Sequence, residues 1–385
     1  MKYRTDRIMA PPIPKLIEAA KRYVSSPEFL NLGPGIPGHI PPTDSLKAFG
    51  NTLLHPATHR YTFEQGNLEL REELAIYLRQ NWNVQVDPEN EISITAGANA
   101  AFAGAIFTVL SPGEKVVIPS PFYFNSVMAV RLAGGEAAEV PVGSDFQVCY
   151  DQIESAVDKN TRAIFINTPN NPTGAVYSRE IVDSLVDLCI DKDLFLISDE
   201  TYGRLVYEGA THYSPRSRSD AHERIISLGS FSKDFGMSGW RVGYVVGSDE
   251  FIQEFMKVQD TVTICAPTPG QMLALDILKH SLDEIQEEID RLSLLRDLAY
   301  LRISEIPALE TARTPATFYI FPRVNGCTDS RRLVLDILRE TKMLILPGSI
   351  FGEAGESHLR ISIGPLTPEA VDEAFDRLSA YFRNH

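Results

Sequence analysis

Residues 225–243 read IISLGSFSKDFGMSGWRVG. The first five are apolar or small, which predicts a buried strand over 225–229. Lys233 comes just beyond that strand, after Ser230 and Ser232, and Arg241 follows eight residues later. A lysine is costly to bury as a cation, so its pKa falls at such a place, and the neutral amine suits Schiff-base chemistry. Ser230, Ser232 and Arg241 could together hold a dianionic phosphate through charge-assisted hydrogen bonds. A bare S-x-S-K is more often an ordinary surface turn, so the reading depends on what surrounds it.

Outward from this stretch, short apolar runs alternate with helical periodicity. Strands are predicted at 92–95, 115–119, 162–167, 194–198, 225–229 and 242–247. Helices are predicted at 13–24, 67–82, 98–110, 125–132, 179–190 and 249–260; in the second of these Leu70, Leu74, Tyr77 and Leu78 share one face. The alternation predicts an α/β fold with a mostly parallel sheet covered by helices on both faces. Residues 267–305 are helical almost throughout and read as a long connector. Beyond Pro307 the pattern changes to strands at 317–321, 343–346 and 358–362 with helices at 331–340 and 368–382, a second and smaller α+β domain.

The chain has 385 residues, 44% of them hydrophobic, enough for a large core. A formal net charge of -15 argues against non-specific affinity for nucleic acid or an anionic membrane. Cys149, Cys189, Cys265 and Cys327 are far apart with no C-x-x-C pair, so neither a disulfide scaffold nor a zinc ribbon is expected, and no metal site. The N-terminal residues lack a continuous apolar segment of the signal-peptide kind, and the longest apolar stretch, 100–110, is too short to cross a bilayer. A soluble cytoplasmic protein is expected.

One pattern misleads. Residues 33–38, GPGIPG, match the G-x-G-x-x-G of dinucleotide-binding folds. That motif works by aiming backbone N–H groups at a pyrophosphate where a strand turns into a helix. Pro34 and Pro37 have no N–H, and no strand–helix–strand unit surrounds them, so a nicotinamide cofactor is not expected.

Six further segments stand at informative positions. Ser198-Asp199-Glu200-Thr201-Tyr202 ends a predicted strand, where carboxylates face the ligand crevice of a parallel sheet. Asn167-Thr168-Pro169-Asn170-Asn171-Pro172-Thr173-Gly174 follows another. Thr95-Ala96-Gly97-Ala98-Asn99-Ala100 links a strand to a helix N-terminus, a ready anion site. Pro119-Ser120-Pro121-Phe122-Tyr123 follows the next strand; His358-Leu359-Arg360-Ile361-Ser362 lies near the C-terminus; and Tyr61 precedes Gly66 and Leu70-Arg71. Each alone has an ordinary structural reading as turn, core aromatic or surface arginine. Together with residues 230–243, in this order, they resemble the class I/II aminotransferases of fold type I, typified by aspartate aminotransferase. The likeness runs from about residue 30 to the C-terminus.

The resemblance implies a large domain, residues 46–279, whose mostly parallel seven-stranded sheet lies between helices. It implies a smaller α+β domain from residues 1–45 and 280–385. The implied cofactor is pyridoxal 5'-phosphate (PLP), joined to Lys233, which also moves the substrate proton. Asp199 would pair with the pyridine nitrogen, Tyr202 and Asn171 with the 3'-oxygen, and Tyr123 would stack on the ring. Ser230, Arg241 and the backbone N–H groups of Ala98 and Asn99 would hold the phosphate, together with Tyr61 from the partner of a homodimer with shared active sites. Arg360 and Gly35 would hold the substrate α-carboxylate, with Tyr123 and Asn171 beside it, and the Asn171–Pro172 bond would be cis. Gly38 and His39 depart from the usual pattern of the Gly35 loop.

These roles add up to ping-pong transfer of an amino group from an α-amino acid to a 2-oxo acid such as 2-oxoglutarate or pyruvate. In an aspartate-type branch a lysine in the phosphate turn holds the distal carboxylate. Asn99-Ala100 stand there in this chain, which favours a neutral or broad range of substrates; Arg204 could substitute as a charge, but nothing in the sequence places it in the pocket. A PLP-dependent lyase cleaving Cβ–S bonds would need the same lysine and arginine. A PLP-binding regulator would need a DNA-binding domain for which the chain has no spare residues.

Overall fold

The computed structural model describes residues 3–207 and 209–385. Seven strands form the main sheet, in the spatial order Ile92–Thr95, Gly243–Val246, Ile225–Ser230, Phe195–Asp199, Thr161–Asn167, Lys115–Ser120, Glu136–Pro141. Gly243–Val246 is antiparallel to both its neighbours, and the other pairings are parallel. The central strands are rich in Ile, Val and Phe because both their faces are covered. Alternate residues show it directly: Ala163 and Phe165 belong to one apolar cluster, Ile164 and Ile166 to the other. Each such fully buried large side chain contributes about 1.5–3 kcal/mol.

This topology decides where the chemistry lies. The carboxyl ends of the parallel strands share one edge, where ligands of open α/β sheets bind. The register puts Asn167 beside Asp199, and Asp199 beside Leu228, just short of Ser230. Because Gly243–Val246 is antiparallel, its start reaches the same edge: Gly243 pairs with both Ser230 and Thr95. Arg241, Lys233 and the Thr95–Ala98 turn are therefore neighbours by topology.

The C-terminal part is built on a three-stranded antiparallel sheet, Tyr319–Ile320, Leu359–Ser362 and Leu346–Pro347, with Arg360 opposite Leu346. Leu30–Asn31 pairs in parallel with Met343–Leu344, and Ser362 N donates to Leu32 O at 2.9 Å. The loop after residue 31 is thereby carried alongside Arg360.

Several sequence expectations need correction. The strand Glu136–Pro141 was not foreseen: it is an edge strand, largely exposed, with Glu136 and Glu139 among its six residues. Residues 267–305 form two helices, Thr268–His280 and Leu282–Ile303, broken at Ser281, whose buried Oγ lies 2.9 Å from Ser45 Oγ. The first long helix is shorter than predicted, Pro12–Ala20. The strand expected at 317–321 shrinks to Tyr319–Ile320 because Thr317 adopts a positive φ of 64°. The one expected at 343–346 splits into Met343–Leu344 and Leu346–Pro347, which serve different sheets. Among the described residues no helix is long and apolar enough to cross a membrane.

Candidate active site

The lysine turn is held from several sides. Ser230 Oγ accepts from Ser232 N at 3.0 Å and starts the short helix Phe231–Asp234. Phe231 N donates to Val242 O, and Met237 N to Phe231 O, closing the loop. Gly236 has φ +65°, and a Cβ there would stand 2.8 Å from both His39 Cδ2 and Ile40 C, so only glycine fits. The Lys233 side chain crosses the crevice, and its Nζ donates to Gly35 O at 2.6 Å. Lys233 is half-buried and lines the crevice. Burial, then the positive charges of Arg360 and Arg241, pull its pKa down to about 8 against the weaker opposing pull of Asp199.

Asp199 stands across the crevice at the end of its strand. Its Oδ1 accepts from Thr201 N at 3.0 Å, and Asn167 Nδ2 donates to its backbone carbonyl at 3.0 Å. Burial pushes its carboxyl above the usual range, so the site calls for a cationic partner to keep it ionised. The hydroxyls of Tyr202 and Tyr319 are hydrogen-bonded at 2.9 Å, and Asn125 Nδ2 donates to Tyr123 Oη at 2.9 Å.

At the far end lies an anion cradle. Gly97 precedes the helix Ala98–Val109 with φ +85° and brings no capping side chain, so the first-turn N–H groups of Ala98 and Asn99 have no helical acceptor. A Cβ on Gly97 would lie 2.4 Å from Arg241 Nη2. Arg241 is fixed by donation from Nη1 to Ser238 O at 2.9 Å, and Ser230 completes this end.

Arg360 closes the opposite side. It is 2% exposed, lies 4.6 Å above the Tyr319 ring and 5.0 Å from that of Phe351, and donates to Asn171 Oδ1 at 3.1 Å and to Gly33 O. Asn171 N in turn donates to Asn167 Oδ1 at 2.7 Å, and the Asn171–Pro172 bond is cis, as are Ser120–Pro121 and Thr168–Pro169.

Every predicted site residue except Tyr61 lines this one crevice, of about 200 Å³. Tyr61 lies outside it and is 77% exposed. Arg204 is also absent from its walls; its guanidinium turns to Gln286 Oε1 at 3.2 Å. Ser232, read with Ser230 from the sequence, also lines the crevice, whereas sequence reasoning missed Ile13, Asn167, Thr201 and Tyr319 as wall residues. Asn167 and Thr201 stand inside the quoted motifs and could have been found there. Tyr319 could not, because only the pairing of its strand with Leu359–Ser362 brings it beneath Arg360. A second cavity, about 540 Å³, adjoins the crevice and shares Ala98, Asn99, Tyr123 and Asp199 with it; its other walls include Phe102, Met128 and Leu132. Among the described residues no cluster of His, Cys, Asp or Glu could hold a metal ion.

Known proteins similar to this chain are aminotransferases. The aspartate aminotransferase of Pyrococcus abyssi is 34% identical over 100% of this chain and 98% of its own. Aromatic-amino-acid aminotransferase 2 of Thermococcus litoralis is 34% identical over 91% of this chain and 90% of its own. The solved structure of an aromatic aminotransferase from Pyrococcus horikoshii OT3 superposes with a TM-score of 0.89 at 34% identity, covering 96% of this chain and 99% of that one. Residues 27–378 match the family described as aminotransferase class I and II, and with a lysine, a carboxylate and an arginine gathered at the edge of a fold-type I sheet, the chain belongs to that family of PLP-dependent enzymes.

Proposed function

We propose that the crevice holds PLP on Lys233 and passes the amino group of an α-amino acid with a neutral, apolar side chain to a 2-oxo acid. The observation that carries this reading is the convergence of the Lys233 amine, the Asp199 carboxylate and the buried Arg360 guanidinium on one 200 Å³ crevice with an anion cradle at its far end.

The donor set suits that cofactor. Ser230, Arg241 and the N–H groups of Ala98 and Asn99 would hold its phosphate. Asp199, short of a cationic partner, would meet the protonated ring nitrogen, Tyr202 and Asn171 the 3'-oxygen, and Tyr123 the ring face. When bound, the cofactor supplies an electron-withdrawing ring that stabilises negative charge developing at the substrate Cα. Arg360 and the Gly35 loop orient the substrate by its carboxylate. Lys233, whose depressed pKa keeps a useful fraction neutral near physiological pH, is the base that takes the Cα proton.

The substrate class follows from charge and space. The cationic side chains lining the crevice are Lys233, Arg241 and Arg360, each with a task already, and Arg204 points elsewhere. The adjoining 540 Å³ cavity is walled mainly by apolar side chains such as Phe102, Met128 and Leu132. Among the described residues lining it, a side chain with a second carboxylate would find no cationic partner, whereas an aliphatic or aromatic one would bury apolar surface. The relatives' names span both aspartate and aromatic amino acids, so the choice rests on these residues.

The same reading divides the chain into a large domain, 46–279, and a small one from 1–45 and 280–385. It also pairs two chains so that the exposed Tyr61 of each reaches the other's phosphate site. The four free cysteines, one of them exposed, support a cytoplasmic home.

An amino-donor screen with 2-oxoglutarate and pyruvate as acceptors tests the proposal. Leucine, phenylalanine or tyrosine should exceed aspartate in kcat/KM by at least about tenfold. A clear preference for aspartate would overturn the substrate class. Pyruvate and ammonia released from an amino acid without any acceptor would replace transfer by elimination.

A further inference from the structure

The loop 33–39 carries Gly35, and the structure fastens it at three points. Gly35 O accepts from Lys233 Nζ at 2.6 Å. Pro37 O accepts from Arg291 Nη2 at 3.1 Å, and the same nitrogen lies 3.3 Å from Gly364 O, just past the strand of Arg360. The third point is His39. Its side chain is 3% exposed, and its Nε2 lies 3.3 Å from the carbonyl of Asp234, the residue after the lysine. A carbonyl only accepts, so Nε2 carries the hydrogen.

The ring is seated on both sides. A Cβ on Gly236 would meet His39 Cδ2 at 2.8 Å, so the imidazole rests directly on a glycine of the lysine turn. Its other nitrogen, Nδ1, has no hydrogen-bond partner among the described residues and faces Glu288 Oε2 at 3.9 Å. That oxygen is 2.7 Å from Arg291 Nε, whose guanidinium in turn holds Pro37 and Gly364. A continuous set of contacts thus runs from the lysine turn through His39, Glu288 and Arg291 to the end of the Arg360 strand.

We infer that His39 is a positioning residue, which fixes the loop offering Gly35 to the substrate carboxylate against the turn that carries Lys233. The inference rests on the proposed roles of Lys233, Gly35 and Arg360. The chemistry needs the carboxylate anchor and the Cα base at a constant separation, since a shift of about 1 Å costs on the order of 10²-fold in rate. Burial lowers the imidazole's pKa, which favours the neutral form that donates through one nitrogen.

The test compares His39→Leu, which keeps bulk and loses the donor, with His39→Gln, which keeps an N–H at similar reach, both as PLP-loaded protein. Binding of 3-phenylpropanoate, a carboxylate that cannot react, is measured by calorimetry beside steady-state kinetics. His39→Leu should keep the visible absorbance of the lysine-bound cofactor, bind the probe about tenfold more weakly and lose about 10–100-fold in kcat/KM, mainly through KM. His39→Gln should stay within about threefold of wild type in both. The inference is overturned if His39→Leu matches wild type, if Gln is as impaired as Leu, or if Leu loses cofactor and thermal stability together with probe binding. Wild type that binds the probe without transaminating sinks the aminotransfer reading alone, and His39 is then judged on binding. Wild type that fails to bind the probe removes the anchor and the inference with it.

Discussion

Arg360 donates through Nη1 to Asn171 Oδ1 at 3.1 Å, joining the C-terminal strand Leu359–Ser362 to the loop that follows Thr161–Asn167. The guanidinium is therefore oriented before any ligand arrives, with the Tyr319 ring beneath it. A lysine at 360 would keep charge but lose both the planar fork and the stacking. Arg360→Lys is expected to lower kcat/KM for amino acids by about 10²-fold or more, as truncating a buried charged hydrogen-bonding group costs roughly 2–5 kcal/mol. Cofactor retention, read by visible absorbance, should change little. Unaltered kinetics would remove Arg360 from the substrate site.

Lys233 is expected to show its depressed pKa in cofactor-free protein. The neutral amine is the form that attacks an aldehyde, so capture of pyridoxal should accelerate as pH rises and level off above about 8. Arg360 is the largest charge that lowers this pKa. Replacing it by glutamine removes a repelling cation, stabilises the ammonium and should move the midpoint upward. A midpoint that stays or falls would show that Arg360 does not set it.

Gly35 tolerates no side chain because of one oxygen. A Cβ there would lie 2.3 Å from Tyr319 Oη, which is tied to Tyr202 Oη at 2.9 Å. Gly35→Ala is expected to cost about 1–3 kcal/mol in stability from overpacking and to raise KM for the amino donor. Adding Tyr319→Phe removes the colliding oxygen and should recover part of the loss, a non-additivity that thermal melts and kinetics can both read.

Tyr61 is 77% exposed, as is most of Phe63 beside it, and neither packs on its own crevice. In solution the mass should be about twice the 42.8 kDa of one chain. Tyr61→Phe should weaken PLP binding by about tenfold, the worth of one hydrogen bond to a charged group, without altering the melting of cofactor-free protein. A monomer retaining full activity would exclude a shared site.

Much of this was legible because residue type and physical duty coincide. The central strands must be apolar on both faces, so runs such as Ala163–Ile166 announce themselves. Glu136–Pro141 needs only one neighbour and little burial, and it carries no such signal. The break at Ser281 was hidden because Ser45, which its buried hydroxyl meets there, lies more than two hundred residues away in sequence. Lys233, Asp199 and Arg360 could be read from local motifs, whereas Tyr319 and His39 act through neighbours that only the fold supplies.

The most direct test of the account is borohydride reduction of PLP-loaded protein, followed by proteolysis and peptide mass mapping. The account expects a single pyridoxyl adduct on the peptide containing Lys233, lost in Lys233→Ala. An adduct at another lysine, or none in material that retains PLP, would contradict it.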